Sequence, residues 1–224
     1  IWGNSVAILT GDLIFSRASL LVSELGTRPM KIQSQTFERL VLGQLFETTG
    51  PREGQDLLDH YIAVIEGKTG SLIAAAGEYG SLLSGASEEV ISMVKAYGEL
   101  VGVAFQLADD VIDIVSDGKT SGKTRGTDLR EGVPTLPTIL LDRAVAAGDE
   151  SAIAVRALLD ADLSSDEALE TAVEALAAHP VTQEAWQIAY DWADRAIAAI
   201  APLPESTAKA ALESFAHAVV HREG

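Results

Sequence analysis

Three aspartates, Asp109, Asp110 and Asp113, lie close together in a segment with helical periodicity. Offsets of three and four residues place side chains on one side of an α-helix, and Gln106 shares that side. No Lys or Arg occurs from residue 96 to residue 118, so no cation close in sequence balances these acids. Crowded carboxylates raise one another's pKa, and a hard divalent cation with oxygen ligands relieves the repulsion. The spacing therefore predicts a metal site, with magnesium favoured if phosphate groups supply the other ligands.

A glycine-rich basic segment, 117–130, follows this helix directly. It contains four of the 16 Lys and Arg residues of the chain, Lys119, Lys123, Arg125 and Arg130. Glycine lets the backbone approach a ligand closely and direct its N–H groups toward it. A metal and a lysine side by side can share the oxygens of a diphosphate and stabilise it as a leaving group. The two segments together predict a diphosphate site; the competing interpretation is a solvated acidic face beside an ordinary surface loop.

Five segments, in order along the chain, resemble the trans-isoprenyl diphosphate synthases, the polyprenyl synthetase family. Residues 105–113, FQLADDVID, resemble the second aspartate-rich motif of that family, and residues 122–129, GKTRGTDL, resemble its lysine loop. The other matches are Gly11-Asp12, the stretch from Tyr61 to Lys68-Thr69-Gly70, and VPTLP at 133–137. The similarity covers residues 1–140 and continues more loosely to the end of the chain.

The resemblance implies a role for each matching charged residue. Asp109 would bind magnesium directly, and Asp110 and Asp113 would support the metal or its waters. Lys68 and Lys123 would bind the diphosphate of an allylic substrate. These assignments come from the family motif and not from the spacing alone.

The reaction implied by the resemblance is a prenyl transfer with Mg²⁺ as cofactor. The allylic diphosphate loses its diphosphate, the double bond of isopentenyl diphosphate attacks the resulting cation, and proton loss gives a longer polyprenyl diphosphate. Thr69 and Gln106 would line the pocket beside the cation, and with Lys68 and Lys123 they form the predicted catalytic set. The protein mainly positions substrates and stabilises charge. A homodimer is also implied, because members of the family usually pair helices between subunits.

The chain departs from the family pattern at its beginning. Members carry a first aspartate-rich motif and an Arg pair upstream of the segment that matches Ile1, and no second Asp-Asp-x-x-Asp occurs here. Because Ile1 to Leu9 resembles the middle of an apolar helix, we expect that N-terminal helices are missing from this sequence. The alternatives are a non-catalytic prenyl synthase-like partner subunit, a truncated inactive form and a structural helical module. A terpene cyclase or head-to-head condensing enzyme would need an Asn/Ser/Glu metal triad, which the sequence lacks.

Composition limits the remaining possibilities. The chain has 224 residues, a net charge of -17 and 47% hydrophobic residues. This composition excludes wholesale disorder and argues against a general nucleic-acid binder. It has no Cys, so thiol chemistry and disulfides are excluded. Uninterrupted apolar runs are far shorter than the roughly 18 residues that span a bilayer. We therefore expect no transmembrane segment and a cytoplasmic location.

The periodicity is helical almost throughout. Turn residues divide the chain into helices at about 2–25, 31–48, 56–83, 88–115, 138–147, 149–161, 165–178, 181–200 and 204–221, with a long non-helical stretch at 117–137. No internal repeat or change of composition marks a second domain. The prediction is an all-α protein, in which residues 1–224 form a single-domain helical bundle of the isoprenoid synthase type.

Overall fold

The computed structural model describes residues 2–116 and 125–221, which form α-helices, one π-helical segment and short connections, without a strand. The elements are α1 (Asn4–Ser23), α2 (Thr27–Thr49), α3 (Leu57–Ile65), the π segment (Glu66–Gly70), α4 (Ser71–Leu83), α5 (Glu88–Val115), α6 (Thr127–Glu131), α7 (Leu136–Ala146), α8 (Glu150–Leu159), α9 (Asp166–Ala178), α10 (Pro180–Ile200) and α11 (Thr207–His221). The all-α prediction is confirmed.

Side-chain oxygens begin several helices where the sequence places Asp or Ser. Ser87 accepts a hydrogen bond from the Val90 N–H at 3.4 Å at the start of α5, and Asp56 caps α3. Two predicted boundaries were wrong. Helix α2 begins at Thr27 and not near residue 31, because Gly26 ends the preceding turn and Pro29 fits within a first helical turn. The stretch 117–137 also contains α6 and the start of α7.

Helix α5 lies at the centre of the core, with α4 and α10 packed along it. Its second half is buried on most sides: Val103, Leu107 and Val111 are fully inaccessible to solvent. A helix that is apolar around most of its circumference is expected in such a position. The side chains that α5 directs between its neighbours are therefore held in a rigid environment.

Glycines bring α5 close to the helix that carries the π segment. A Cβ added at Gly102 would lie 2.7 Å from the Cα of Gly70, and one at Gly98 would lie 2.6 Å from the Cα of Ala74. No side chain larger than hydrogen fits at such distances without moving the backbone. The crossing therefore fixes the position of the π segment relative to α5.

Two ion pairs join α2 to α5 across the intervening helix. Arg28 bonds to Glu88, and Arg39 bonds to Glu99, each through two guanidinium nitrogens. The arginines are eleven residues apart (39 − 28), and so are the glutamates (99 − 88), which corresponds to about three helical turns. Because both pairs advance in the same direction, α2 and α5 run parallel.

Two helices among the described residues are long and apolar enough to cross a membrane, which the uninterrupted apolar runs did not indicate. Helix α1 contains a window of mean hydropathy 1.5 with no buried residue, and α5 contains one of 1.3 that is 44% buried. Core helices of soluble proteins also meet this criterion. The absence of a transmembrane segment therefore stays a prediction.

Candidate active site

A cavity of about 290 Å³ lies between the end of α2, α3, the π segment, α5 and residues 128–135. Four of the predicted site residues line it: Lys68, Thr69, Gln106 and Asp110. Leu57, Val64 and Ile65 contribute an apolar wall. The folded chain thus brings together residues that are up to 42 positions apart in sequence (110 − 68). The cavity combines an apolar surface with a few convergent polar groups, as small-molecule sites usually do.

The π segment places Lys68 and Thr69 side by side at the cavity. A π-helical turn inserts one extra residue into a helix and is frequent at functional sites. It fits here because Gly67 packs against α2, where an added Cβ would lie 3.0 Å from the Arg39 carbonyl oxygen. The sequence pattern predicts a continuous helix at 56–83 and does not indicate this irregular turn.

Lys68 is the only Lys or Arg that lines the cavity in the described part of the chain. Its Nζ lies 2.6 Å from Oε2 of Glu47, and the two side chains are 31% and 37% exposed. Asp110 and Asp128 add two further carboxyl groups to the lining. One ammonium among three acids cannot by itself favour a diphosphate, so an anionic ligand here needs an additional cation.

A chain of hydrogen bonds leads from the cavity into the core. The Thr69 hydroxyl donates to Oε1 of Gln106 at 3.2 Å, and Nε2 of Gln106 donates to Oδ1 of Asp110 at 3.2 Å. The other carboxylate oxygen of Asp110 accepts from the Tyr61 hydroxyl and, at 3.1 Å, from the Leu136 N–H. The chain connects the π segment, α5, α3 and the first residue of α7.

Asp110 lies inside the protein and not on an open acidic face. Its side chain is almost completely buried, and burial is the main cause that raises its pKa to about 7, against the lowering effect of the Tyr61, Leu136 and Gln106 hydrogen bonds. Burial, reinforced by the Asp110 charge, raises the pKa of Tyr61 well above its usual value. Both oxygens of Asp110 thus face protein donors, and its support of a metal or its waters stays a prediction.

The other two aspartates occupy different positions. Asp109 is exposed, whereas Asp113 is half-buried and binds the chain where it returns after residue 124. Oδ2 of Asp113 accepts from the Asp128 N–H at 3.3 Å, and its carbonyl oxygen accepts from the Gly126 N–H at 2.9 Å. Within 2–116 and 125–221, no three His, Asp or Glu side chains converge as a metal site. Metal binding by these aspartates stays a prediction.

The basic segment after α5 is described only in part. Lys123, the second predicted diphosphate ligand, lies outside the described residues. Arg125 and Arg130 turn toward α9, where they pair with Glu170 at 2.9 Å and Asp166 at 2.6 Å. These two arginines therefore anchor the returning chain to α9, and they do not line the cavity.

Several residues of the cavity were not among the sequence-based candidates. Glu47 is 21 positions before its partner Lys68, and no motif connects them. Asp128 was within the lysine-loop match but received no role, and Thr135 precedes α7 at the far wall. Tyr61 matched the family pattern, yet its contact with Asp110 depends on the packing of α3 against α5. Only the folded arrangement identifies these partners.

Residues 1–176 match the family described as Polyprenyl synthetase. The nonaprenyl diphosphate synthase of Mycobacterium tuberculosis is 40% identical over 223 residues, which cover all of this chain and 66% of that protein. The octaprenyl diphosphate synthase of Escherichia coli is 32% identical, covering 99% of this chain and 68% of its own length.

Solved structures agree with these sequence matches. The geranylgeranyl pyrophosphate synthase of Corynebacterium glutamicum, complexed with calcium and isoprenyl diphosphate, superposes with a TM-score of 0.87 at 42% identity. The match covers all of this chain and 68% of the other. This chain thus spans about two thirds of the length of these relatives. Its fold, its ordered motifs and these similarities show that the chain belongs to the polyprenyl synthetase family.

Proposed function

We propose that this protein is a trans-polyprenyl diphosphate synthase, which condenses an allylic diphosphate with isopentenyl diphosphate to give a longer polyprenyl diphosphate. The observation that carries the proposal is the single cavity that brings Lys68, Thr69 and Gln106 together beside an apolar wall. The names of the relatives, which are nonaprenyl, octaprenyl and geranylgeranyl synthases, support the same reaction class. Because the chain spans only part of their length, the activity is a proposal for the whole protein.

Each polar residue of the cavity has a distinct task in this reaction. Lys68 binds the diphosphate of the allylic substrate and neutralises charge that develops on the leaving group. Thr69 donates its proton to Gln106, so the remaining lone pairs of its oxygen can stabilise the adjacent cation. The apolar side chains of Val64 and Ile65 contact the prenyl chain and exclude water from the cation.

The acidic charge of the cavity fits a divalent cation, and we propose Mg²⁺. Asp109 and Asp113 do not line the cavity, but they flank Asp110 on α5 and are the carboxylates that would hold the ion. Asp110 itself has both oxygens engaged by protein donors. A bound Mg²⁺ would neutralise diphosphate oxygens and favour departure of the leaving group. A structure of a relative that contains calcium and isoprenyl diphosphate supports a divalent cation in this fold.

The decisive experiment measures prenyl transfer by the purified whole protein with allylic diphosphates, isopentenyl diphosphate and Mg²⁺. We expect Asp109→Ala to lower kcat/KM by about 100-fold or more, because it removes a direct metal ligand. Asp194→Ala is the matched control: it removes an equally charged, exposed carboxylate from α10 that does not line the cavity. If Asp109→Ala keeps the turnover of the wild type, the metal role of Asp109 is wrong. If the wild type shows no turnover, the proposed synthase activity is wrong.

Four further predictions accompany this proposal. A first aspartate-rich motif upstream of Ile1, a homodimer, the role of Lys123 and a cytoplasmic location all follow from the resemblance or the composition. If the protein is inactive alone but alters the product length of a second synthase, the partner-subunit alternative applies.

A further inference from the structure

We propose that Tyr61 and Asp110 are positioning residues that hold the side-chain amide of Gln106 in one orientation and thereby set the direction of the Thr69 hydroxyl. The inference rests on the proposed function, since Thr69 and Gln106 are placed beside the allylic cation there. It assigns Tyr61 a role in the reaction that is not exerted through contact between its hydroxyl and the substrate. Tyr61 lines the cavity, and its hydroxyl donates to Asp110.

The orientation of the Gln106 amide follows from the groups on its two sides. An amide has an acceptor oxygen and a donor nitrogen, and in this structure Asp110 accepts hydrogen bonds from the groups around it, including the Tyr61 hydroxyl and the Leu136 N–H. With Nε2 facing Oδ1 of Asp110 at 3.2 Å, Oε1 is left for the Thr69 hydroxyl. The reversed amide would place two acceptor oxygens against each other at this distance. Thr69 must therefore donate its proton to Gln106, and its lone pairs remain available to the cavity.

Tyr61 fixes the carboxylate on which this orientation depends. The Tyr61 hydroxyl and the Leu136 N–H both donate to Oδ2 of Asp110, which leaves Oδ1 for Gln106. All of the groups that the hydrogen bonds place around Asp110 are donors, as an acceptor-only group requires. Because Tyr61 is on α3 and Leu136 begins α7, the carboxylate is held from two sides of the cavity.

The consequence is a preorganised oxygen at the cation. Dipoles that already point in the required direction stabilise developing charge without a reorganisation cost during the reaction. Without the Tyr61 hydroxyl, Asp110 keeps only the Leu136 N–H on Oδ2 and can rotate away from Gln106. The Gln106 amide then loses the fixed partner of its Nε2, so Thr69 would no longer be limited to one hydroxyl orientation. Substrate affinity should change little, because Lys68 and the carboxylates that would hold the metal are unchanged and phenylalanine retains the ring of Tyr61.

Tyr61→Phe tests the proposal, and Tyr97→Phe is its matched control. Tyr97 is also buried, and its hydroxyl donates to the Leu212 carbonyl oxygen at 2.6 Å. Neither residue lines the cavity. We expect Tyr61→Phe to lower kcat by about 10-fold or more, a smaller loss than the roughly 100-fold typical when a direct stabilising group is removed. KM for both diphosphates, and the affinity for inorganic pyrophosphate with Mg²⁺, should stay within about twofold of wild type. Tyr97→Phe should change none of these quantities.

A second measurement does not depend on turnover. The side-chain amide signals of Gln106 in ¹⁵N NMR spectra, assigned by their loss in Gln106→Leu, should shift in Tyr61→Phe and not in Tyr97→Phe. If Tyr61 acts through Gln106, Tyr61→Phe should also have no further effect on kcat in a Gln106→Ala background. Should Tyr61→Phe fail to fold, Asp110→Asn replaces it in the NMR comparison.

The outcomes separate this inference from the proposed function. An active wild type in which Tyr61→Phe and Tyr97→Phe have equal kcat, or in which the Gln106 signals do not move, overturns the positioning role alone. Equal losses of kcat and pyrophosphate affinity in Tyr61→Phe also overturn it, since they indicate a damaged cavity. A wild type that binds pyrophosphate but transfers no prenyl group overturns the proposed synthase function.

Discussion

Helices α1 and α5 are similarly apolar but have opposite environments. Their most apolar windows have mean hydropathies of 1.5 and 1.3, yet α1 contains no buried residue, whereas α5 contains twelve. The difference lies in their neighbours: α5 is enclosed by α4, α10 and the helices around them, and α1 contacts mainly α2. Apolar content therefore does not distinguish α1 from α5, and only the packing determines which of the two helices forms the core.

The two helices also differ in their polar residues. Helix α5 buries Asp110 in the middle of its apolar surface, where three donors from α3, α5 and α7 stabilise the carboxylate. A buried polar group is tolerated only when hydrogen-bond partners are held in place around it. Helix α5, which is enclosed by its neighbours, meets this condition. This accounts for the position of Asp110, with its partner Gln106, on α5.

The sharpest test of this contrast compares two isoleucines. Ile114 on α5 is 1% exposed and Ile14 on α1 is 65% exposed. We expect Ile114→Ala to lower the free energy of unfolding by about 2–5 kcal/mol, because it leaves a cavity in the core. Ile14→Ala should change it by about 0.5 kcal/mol or less, as exposed substitutions usually do. Urea unfolding followed by circular dichroism measures both values. A loss in Ile14→Ala as large as in Ile114→Ala would show that α1 is covered in solution.

The glycine crossing gives the second prediction. Gly102→Ala places a methyl group 2.7 Å from the Cα of Gly70, so the backbones of α5 and the π segment must separate. We expect a loss of about 1–3 kcal/mol in the free energy of unfolding, as for other overpacked cores. Gly80→Ala on α4 is the control, since an added Cβ there meets nothing within 4 Å. If Gly102→Ala is as stable as Gly80→Ala, the two helices do not cross this closely.

The two α2–α5 ion pairs give the third prediction. Arg39 bonds to Glu99 and its Nη2 also approaches the Glu66 carbonyl oxygen at 3.4 Å, where the π segment begins. Arg28 makes the same kind of pair with Glu88, but its partner is 76% exposed, compared with 25% for Glu99. We expect Arg39→Ala to lower unfolding free energy by about 1 kcal/mol, and Arg28→Ala by less, because exposure weakens ion pairs.

The affinity for pyrophosphate, measured by calorimetry, separates the two arginines more clearly. Since Arg39 contacts the π segment that carries Lys68, Arg39→Ala should weaken pyrophosphate binding in the presence of Mg²⁺, while Arg28→Ala should not. Equal affinities in the two variants would mean that the glycine contacts alone hold the π segment in place.

The same contrast explains what could be predicted from sequence. Helical periodicity and turn residues gave the all-α fold and most helix positions, because these depend on local pattern. Lys68, Thr69 and Gln106 were found through ordered motifs and do meet in one cavity. The burial of Asp110 could not be predicted, since Asp109 and Asp110 are adjacent in the motif and differ only in what packs against them.

The smallest expected effect has the opposite sign and concerns Gly11 in the middle of α1. A Cβ added there meets nothing within 4 Å, and its backbone is helical. Alanine loses less conformational entropy than glycine when a helix forms, so Gly11→Ala should raise the free energy of unfolding by about 0.5–1 kcal/mol. Thermal unfolding at fixed protein concentration measures it. A clear loss in Gly11→Ala, beside a gain in Gly80→Ala, would mean that another surface packs closely on α1, and the contrast between α1 and α5 would then apply only to the isolated chain.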